Sequence, residues 1–200
     1  MGRARAPKHK LSRRFGIDIY GTGGAQLQRR LGVPPGARAG GRRRKVSEYG
    51  IQLLEKQKVK AIYGVAERQF RNYYAEAVRR PGTPGKNLLQ LLERRLDNVV
   101  YRMGFARSRP MARQMVSHRH VLVNGRKVNI PSYLVRPGES IGLTDTAAQM
   151  PTVIEEIGSN RALPRWLERD QTSGRVAELP SREDLDLPIN EDMIVEFYSR

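Results

Sequence analysis

The chain has 200 residues, a formal charge of +17, 38% hydrophobic residues and no cysteine. The missing thiols exclude a disulfide scaffold and a thiolate metal centre. With no long apolar run and no apolar segment behind the basic start, neither a membrane span nor a signal peptide is expected. The remaining partners for such a charge are polyanions, and RNA or DNA is favoured over an anionic membrane face because no basic amphipathic anchor is visible.

The charge is uneven. Residues 1–45 hold thirteen Lys/Arg against one acid, and residues 91–143 hold ten against three, whereas residues 144–200 hold six against twelve. Residues 1–14, MGRARAPKHKLSRR, read as a basic arm with too little apolar surface to offset its ordering entropy. Phe15, Ile17, Ile19, Leu27 and Leu31 can form a small cluster, GTGG at 21–24 reads as a turn, and GVPPGARAGGRRRK breaks structure before the block Arg42, Arg43, Arg44 and Lys45.

The spacing predicts a helix over 47–63, with Ser47 as cap, Ile51, Leu54 and Ile62 on its apolar stripe and Gly64 as terminator. A second helix is predicted over 66–79, with Phe70, Tyr73, Tyr74 and Ala77 near one face; these aromatics read as core rather than as base-stacking platforms. RPGTPG ends it. The segment GTPGKN is like a phosphate loop, but Arg80 stands where that motif has its first Gly and Asn87 where it has Ser/Thr, so it reads as a linker. A third helix is predicted from about 87 to 103, with Leu88, Leu92, Leu96, Val99, Val100 and Met103 inward and Glu93, Arg94, Asp97 and Arg102 off the stripe.

Ser108 is predicted to cap a fourth helix with Pro110 in its first turn, Met111, Met115 and Val116 inward, and Arg109 and Arg113 sharing an outer face. HVLVNGRKVNI follows, with Asn124-Gly125 as a hairpin signal because both residues tolerate positive φ. Pro137-Gly138 marks a turn before a strand at Ser140 to Leu143. A helix with an acidic face (Glu155, Glu156) is predicted over 147–160, a hairpin joins RWLERD to GRVAELP, and MIVEFYSR reads as a strand or ordered tail.

The chemistry concentrates at Arg109, Arg113, Arg119, Arg126 and Lys127. A lone basic helix is usually a solvated face, but here the cations cluster with few compensating acids. Guanidinium forks suit phosphate oxygens, and Gln114 and Asn124 can add neutral hydrogen bonds. His118 and His120 have no Cys or acid cluster beside them, so they read as surface or stacking histidines rather than metal ligands. No Ser/His/Asp set and no paired-carboxylate site stands out, so no enzyme is expected.

RLDNVVYRMGFARSRPMARQMVSHRHVLVNGRKVNI is similar to the RNA-binding module of the bacterial small-subunit ribosomal protein S-four (uS-four) family. GIQLLEKQKVKAIYGVAERQFRNYYAEA, DLPINEDMIVEFYSR and MGRARAPKHKLSRR resemble that family's helical segment, C-terminus and basic beginning. The resemblance implies an α+β fold: a basic arm at 1–45, a helical domain at 46–90 completed by 181–200, and an inserted α+β domain at 91–180. That inserted domain would hold the module, two short helices and a small antiparallel sheet, at about 91–155. Many relatives hold their N-terminal segment with a Cys-ligated zinc; this chain is of a zinc-free type, and packing around Phe15, Ile17 and Leu31, together with RNA, must serve instead.

The resemblance also implies a non-catalytic role without cofactor or metal, in the cytoplasm as part of the small ribosomal subunit. The expected partners are a multi-helix junction in the 5′ part of small-subunit ribosomal RNA, protein S-five and other small-subunit proteins, and mRNA near the entry channel. Nucleation of subunit assembly and influence on decoding accuracy follow from that placement. The expected RNA contacts are Arg3, Arg5, Lys8, Lys10, Arg13, Arg14, Arg42, Arg43, Arg44 and Lys45 from the N-terminal region. From the module they are Arg94, Arg95, Arg107, Ser108, Arg109, Arg113, Gln114, Ser117, His118, Arg119, His120, Asn124, Arg126 and Lys127. The alternatives are a free RNA-binding chaperone and an RNA-modifying enzyme anchored by the same module.

Overall fold

A computed structural model describes residues 7–21, 23–36, 46–159, 161–185 and 187–199. The fold is α+β, and the chain divides into two compact units: residues 1–75 with 188–200, and residues 76–187.

The first unit is helical. It holds α1 (Lys8–Phe15), α2 (Ala25–Arg30), α3 (Glu48–Tyr63), most of α4 (Glu67–Arg79) and α10 (Glu191–Ser199). Where an extended basic arm was expected, α1 forms: from Lys8 the chain is helical until Gly16, whose φ of 67° ends it. The Asp18 carboxylate then accepts hydrogen bonds from the backbone N–H groups of Tyr20, Gly21 and Gly23 at 3.3, 3.2 and 2.8 Å. Ile19 and Leu27 are buried, while Phe15, Ile17 and Leu31 are only half-buried. Arg13 donates to the carbonyls of Val33 and Pro34 at 3.0 and 3.3 Å, tying α1 to the segment after α2.

Helix α3 starts as expected, with Ser47 Oγ accepting from Gly50 N–H, and stops at Gly64 in the left-handed region. Its buried side is different. Ile51 is 44% exposed and Leu54 half-buried, whereas Gln52, Lys56, Val59, Ile62 and Tyr63 are buried. The cause is α10, which packs against α3. Residues 193–200 were expected as a strand or tail; 193–199 form part of a helix instead, and Arg200 lies outside the described residues. Asn190 Oδ1 accepts from the N–H groups of Asp192 and Met193, which caps it, and Glu191 and Asp192 oppose the helix dipole in its first turn.

Lys56 shows why this face is polar. Its ammonium lies 4.2 Å from the Phe197 ring centroid and 2.9 Å from Glu67 Oε1. Lys60 also pairs with Glu67, and the Tyr198 hydroxyl donates to Glu67 Oε1 at 3.1 Å. Burial raises the Glu67 carboxyl pKa, but the hydrogen bonds and charges of Lys60 and Lys56 outweigh it and bring the pKa from 4.5 to about 2. Burial, and then the Glu67 charge, push the Tyr198 phenol well above its ordinary value. Tyr198 stacks on Tyr74 at 4.5 Å and lies 6.3 Å from Phe70; Phe70 and Tyr73 are core, whereas Tyr74 is half-buried.

A folded-state carboxyl pKa below the unfolded value stabilises above the unfolded pKa and loses that stabilisation as pH falls through the folded one. Glu67 is half exposed, which keeps the effect modest. Glu67→Gln is therefore expected to lower the urea midpoint at neutral pH, and the difference from the unsubstituted chain should close as pH falls from 4.5 to about 2. Parallel urea titrations across that range check it; a gap that persists at the acid end contradicts the assignment.

The second unit holds α5 (Pro84–Glu93), α6 (Leu96–Arg102), α7 (Arg109–Ser117), β1 (Val121–Val123), β2 (Arg126–Lys127), β3 (Ser140–Leu143), α8 (Asp145–Ala148), α9 (Pro151–Gly158), β4 (Leu167–Asp170) and β5 (Ser173–Val176). The five strands form an antiparallel sheet in the order β2-β1-β3-β5-β4. Its core joins Leu96, Val99, Val100, Met103 and Phe105 to Ala112, Met115 and Val116 of α7, to Val121, Ile141 and Val176 of the sheet, and to Trp166.

Two predicted helices are each two. The 87–103 helix breaks at Arg94-Arg95, where Arg95 is extended (φ −63°, ψ 135°) and bridges Leu134. Leu96 N–H donates to Tyr133 O at 2.8 Å and Val135 N–H to Arg94 O at 2.9 Å, so residues 131–135 take up the backbone groups that the helix gives up. The 147–160 helix is α8 followed by α9, which starts at Pro151, and Glu155 is exposed as expected.

Candidate nucleic-acid interface

The break between α5 and α6 builds the site. It turns Glu93, Arg95, Asp97 and Asn98 inward, where each is less than 5% exposed, against the expectation that Glu93 and Asp97 lie off the buried stripe. Arg95 grips Asp97 with two parallel hydrogen bonds, Nε to Oδ1 at 3.0 Å and Nη2 to Oδ2 at 2.6 Å. Arg113 Nη1, from α7, reaches the same Asp97 Oδ2 at 3.2 Å. Beside it, Glu93 is gripped by Arg102 at 2.9 and 3.0 Å, and Asn98 Nδ2 donates to Glu93 Oε2 at 2.8 Å. Asn98 Oδ1 then accepts from Arg109 Nε at 2.8 Å.

A buried carboxylate needs a charged partner and a full set of hydrogen bonds. Here the partners extend to α7, so Asp97 and Asn98 fix the side chains of Arg113 and Arg109. Those two were expected on an outer face; both are half-buried and oriented from below. The Arg109 guanidinium also lies 4.4 Å from the Tyr101 ring centroid.

Beyond α7 the chain turns by a left-handed residue. His120 N–H bonds to Met115 O at 3.0 Å and Arg119 N–H to Val116 O at 3.0 Å, with Arg119 at φ 64°. This is a Schellman closure, and its left-handed position ordinarily belongs to glycine. An L side chain there costs about 1 kcal/mol. Arg119→Gly is expected to raise the stability of this unit by up to about 1 kcal/mol while weakening nucleic-acid binding. Urea denaturation paired with a binding titration reads both signs; a variant that loses stability, or binds unchanged, contradicts this account of Arg119.

The hairpin forms as expected, with Asn124 at φ 49° and Gly125 at φ 75°. Asn124 Oδ1 accepts from Ser140 N–H at 2.9 Å and so holds β3. Arg126 and Lys127 stand fully outward on edge strand β2, paired in register with Val123 and Leu122.

The expected contact residues therefore separate. Arg107, Gln114, Ser117, His118, Arg119, Asn124, Arg126 and Lys127 are exposed, and Ser108, Arg109, Arg113 and His120 are half-buried, all on α7, its flanking turns and the hairpin. Ser108 makes no side-chain cap bond, so its expected capping role is not filled. Arg95, 1% exposed, is an internal counter-ion rather than a surface cation. Arg94 donates to Val135 O at 2.9 Å; burial, and then the charges of Arg80 and Arg136, lower its pKa. On the first unit Lys8, Lys10 and Arg14 are exposed and Arg13 is half-buried. Arg3, Arg5, Arg42, Arg43, Arg44 and Lys45 lie outside the described residues.

Sequence reasoning missed Asp97, Asn98 and Glu93 as the scaffold of the site. The available signal was their scarcity: two acids inside an apolar run flanked by arginines in a strongly basic segment.

Two short helices locked by buried ion pairs, a basic turn and an edge hairpin define an RNA-binding module of the S4 type. Residues 94–141 match the family described as "S4 domain", and residues 3–93 match "Ribosomal protein S4/S9 N-terminal domain". Over its full length the chain is similar to proteins named "Small ribosomal subunit protein uS4". It is 50% identical to that of Thermoanaerobacter sp. (strain X514) over 207 residues, and 48% identical to that of Geobacillus stearothermophilus over 202 residues, with 100% of each chain covered. Against Rubrobacter xylanophilus the figure is 47% over 202 residues, again with both chains fully covered. The chain belongs to the ribosomal protein S4 family, a structural and non-enzymatic family.

Proposed function

We propose that this structural constituent of the small ribosomal subunit binds a multi-helix junction in the 5′ part of the subunit's RNA and thereby nucleates assembly of the subunit body. It works in the bacterial cytoplasm as part of that subunit. Arg107, Arg109, Arg113, Arg119, Arg126 and Lys127 neutralise phosphates, and Lys8, Lys10 and Arg14 of the first unit add further contacts. Protein S-five and mRNA near the entry channel are the further partners, through which the chain influences decoding accuracy.

The observation that carries the reading is the buried Arg95–Asp97–Arg113 and Arg102–Glu93–Asn98–Arg109 chains, which aim α7 cations from a rigid base. A scaffold that holds its cations in place loses little side-chain entropy on binding. It therefore selects the RNA shape whose phosphates match, and favours the compact junction over open alternatives by differential affinity. Filter binding of the full chain to an in vitro transcript of the 5′ part of small-subunit RNA tests it. Affinity should fall steeply with salt, with each neutralised phosphate adding about 0.7–0.9 to the slope. Binding that ignores salt, or that does not distinguish the folded junction from an unstructured strand of equal length, contradicts it.

A further inference from the structure

Tyr101, in the last turn of α6, gathers two guanidinium groups. Arg109 lies 4.4 Å from its ring centroid and Arg161 lies 4.4 Å from the same centroid. Arg161 Nη2 also donates to the Tyr101 hydroxyl at 2.7 Å. The two like charges are therefore within twice that ring distance of one another, whichever faces they take.

The neighbourhood is built to hold them. Arg169 Nη1 donates to Met103 O at 2.8 Å, which ties β4 to the end of α6. Gly104, at φ 73°, leaves the room: a Cβ there would stand 2.6 Å from Arg169 Nη1 and 3.9 Å from Arg161 Cβ. Arg161 is exposed, and among the described residues no carboxylate forms an ion pair with it. Arginines stack on a tyrosine ring through its quadrupole, but the ring offsets only part of the repulsion between two cations. An anion that both forks reach lowers it further, and charge-assisted hydrogen bonds of about 2.8 Å suit the oxygens of one phosphodiester.

We propose that Arg109 and Arg161, held on Tyr101, form a shared subsite for a single phosphodiester of the bound RNA. The subsite rests on the RNA-binding reading above and extends it, because Arg161 lies beyond the residues 94–141 that match the S4 domain. Its signature is coupling. Two arginines on separate phosphates act independently, whereas two on one phosphate lose the joint grip when either is removed.

The test is a double-mutant cycle with the full chain, using Arg161→Gln, Arg109→Gln and the double variant. Affinity is measured on the same 5′ transcript at fixed moderate salt, and Trp166 fluorescence confirms that each variant keeps its fold. Arg161→Gln is expected to weaken binding about fivefold in the unsubstituted chain and less than about twofold in the Arg109→Gln background. An unchanged affinity for Arg161→Gln, or the same fold-loss in both backgrounds, overturns the shared subsite and leaves the RNA-binding reading standing. Failure of the unsubstituted chain to bind the transcript overturns both.

Discussion

Replacing Asp97 by Ala is expected to destabilise the 76–187 unit by about 3–5 kcal/mol, the range for stripping one partner from a buried ion pair. Arg95 is 1% exposed and holds Asp97 with two hydrogen bonds, so the substitution takes a carboxylate away from a buried guanidinium. A loss of this size is a large share of the roughly 5–15 kcal/mol that hold a typical domain together. The chain's single tryptophan, Trp166, is 1% exposed in the core of this unit and reports its unfolding directly. Urea titration followed by Trp166 fluorescence should show the midpoint fall sharply. Replacing Arg95 and Asp97 together by Leu should recover part of the loss, because a buried pair exchanged for apolar packing is often near neutral. A shift below about 1 kcal/mol for Asp97→Ala contradicts the role given to the pair.

The second large effect is on binding and not on folding. Arg119, Arg126 and Lys127 are exposed on the turn after α7 and on the edge strand β2. Neutralising all three to Gln should cut the salt slope of RNA binding by about 2–3 and weaken affinity on the order of a hundredfold near physiological salt. The unfolding free energy from urea titration should stay within about 0.5 kcal/mol, since none of the three side chains is buried. These positions are better probes of binding alone than Arg113. Charge reversal at Arg113 would bring a second carboxylate to Asp97 and confuse binding with folding. Equal affinities for the triple variant and the unsubstituted chain, with matching slopes, contradict the assignment.

Local signals carried much of the fold. Ser47 and Gly64 bound α3, Pro110 opens α7, and Asn124-Gly125 turns the hairpin, because caps and turns depend on a few adjacent residues. The break at Arg94-Arg95 had no Gly or Pro to announce it; it exists because residues 131–135 supply the missing backbone partners from far along the chain. The C-terminal helix was hidden by Ile194, Val195, Phe197 and Tyr198, a run of strand-favouring residues that becomes helical when Asn190 caps it and α3 receives it.

The candidate site divides along the same line. Its exposed cations were legible as charge clustering, since solvated charge needs no tertiary context to be recognised. Its supports were not. Whether Asp97 is a surface acid or a buried counter-ion depends on where α7 packs, and periodicity alone assigned it outward. The Tyr101–Arg161 contact joins residues sixty positions apart and has no local signature.

Nuclease protection of the complete small-subunit RNA, with and without the purified full chain, tests the central claim most directly. The account predicts a compact footprint on several helices that meet in the 5′ part, lost when Arg119, Arg126 and Lys127 are neutralised together. Protection confined to single-stranded segments, or an identical footprint from the neutralised variant, would contradict it.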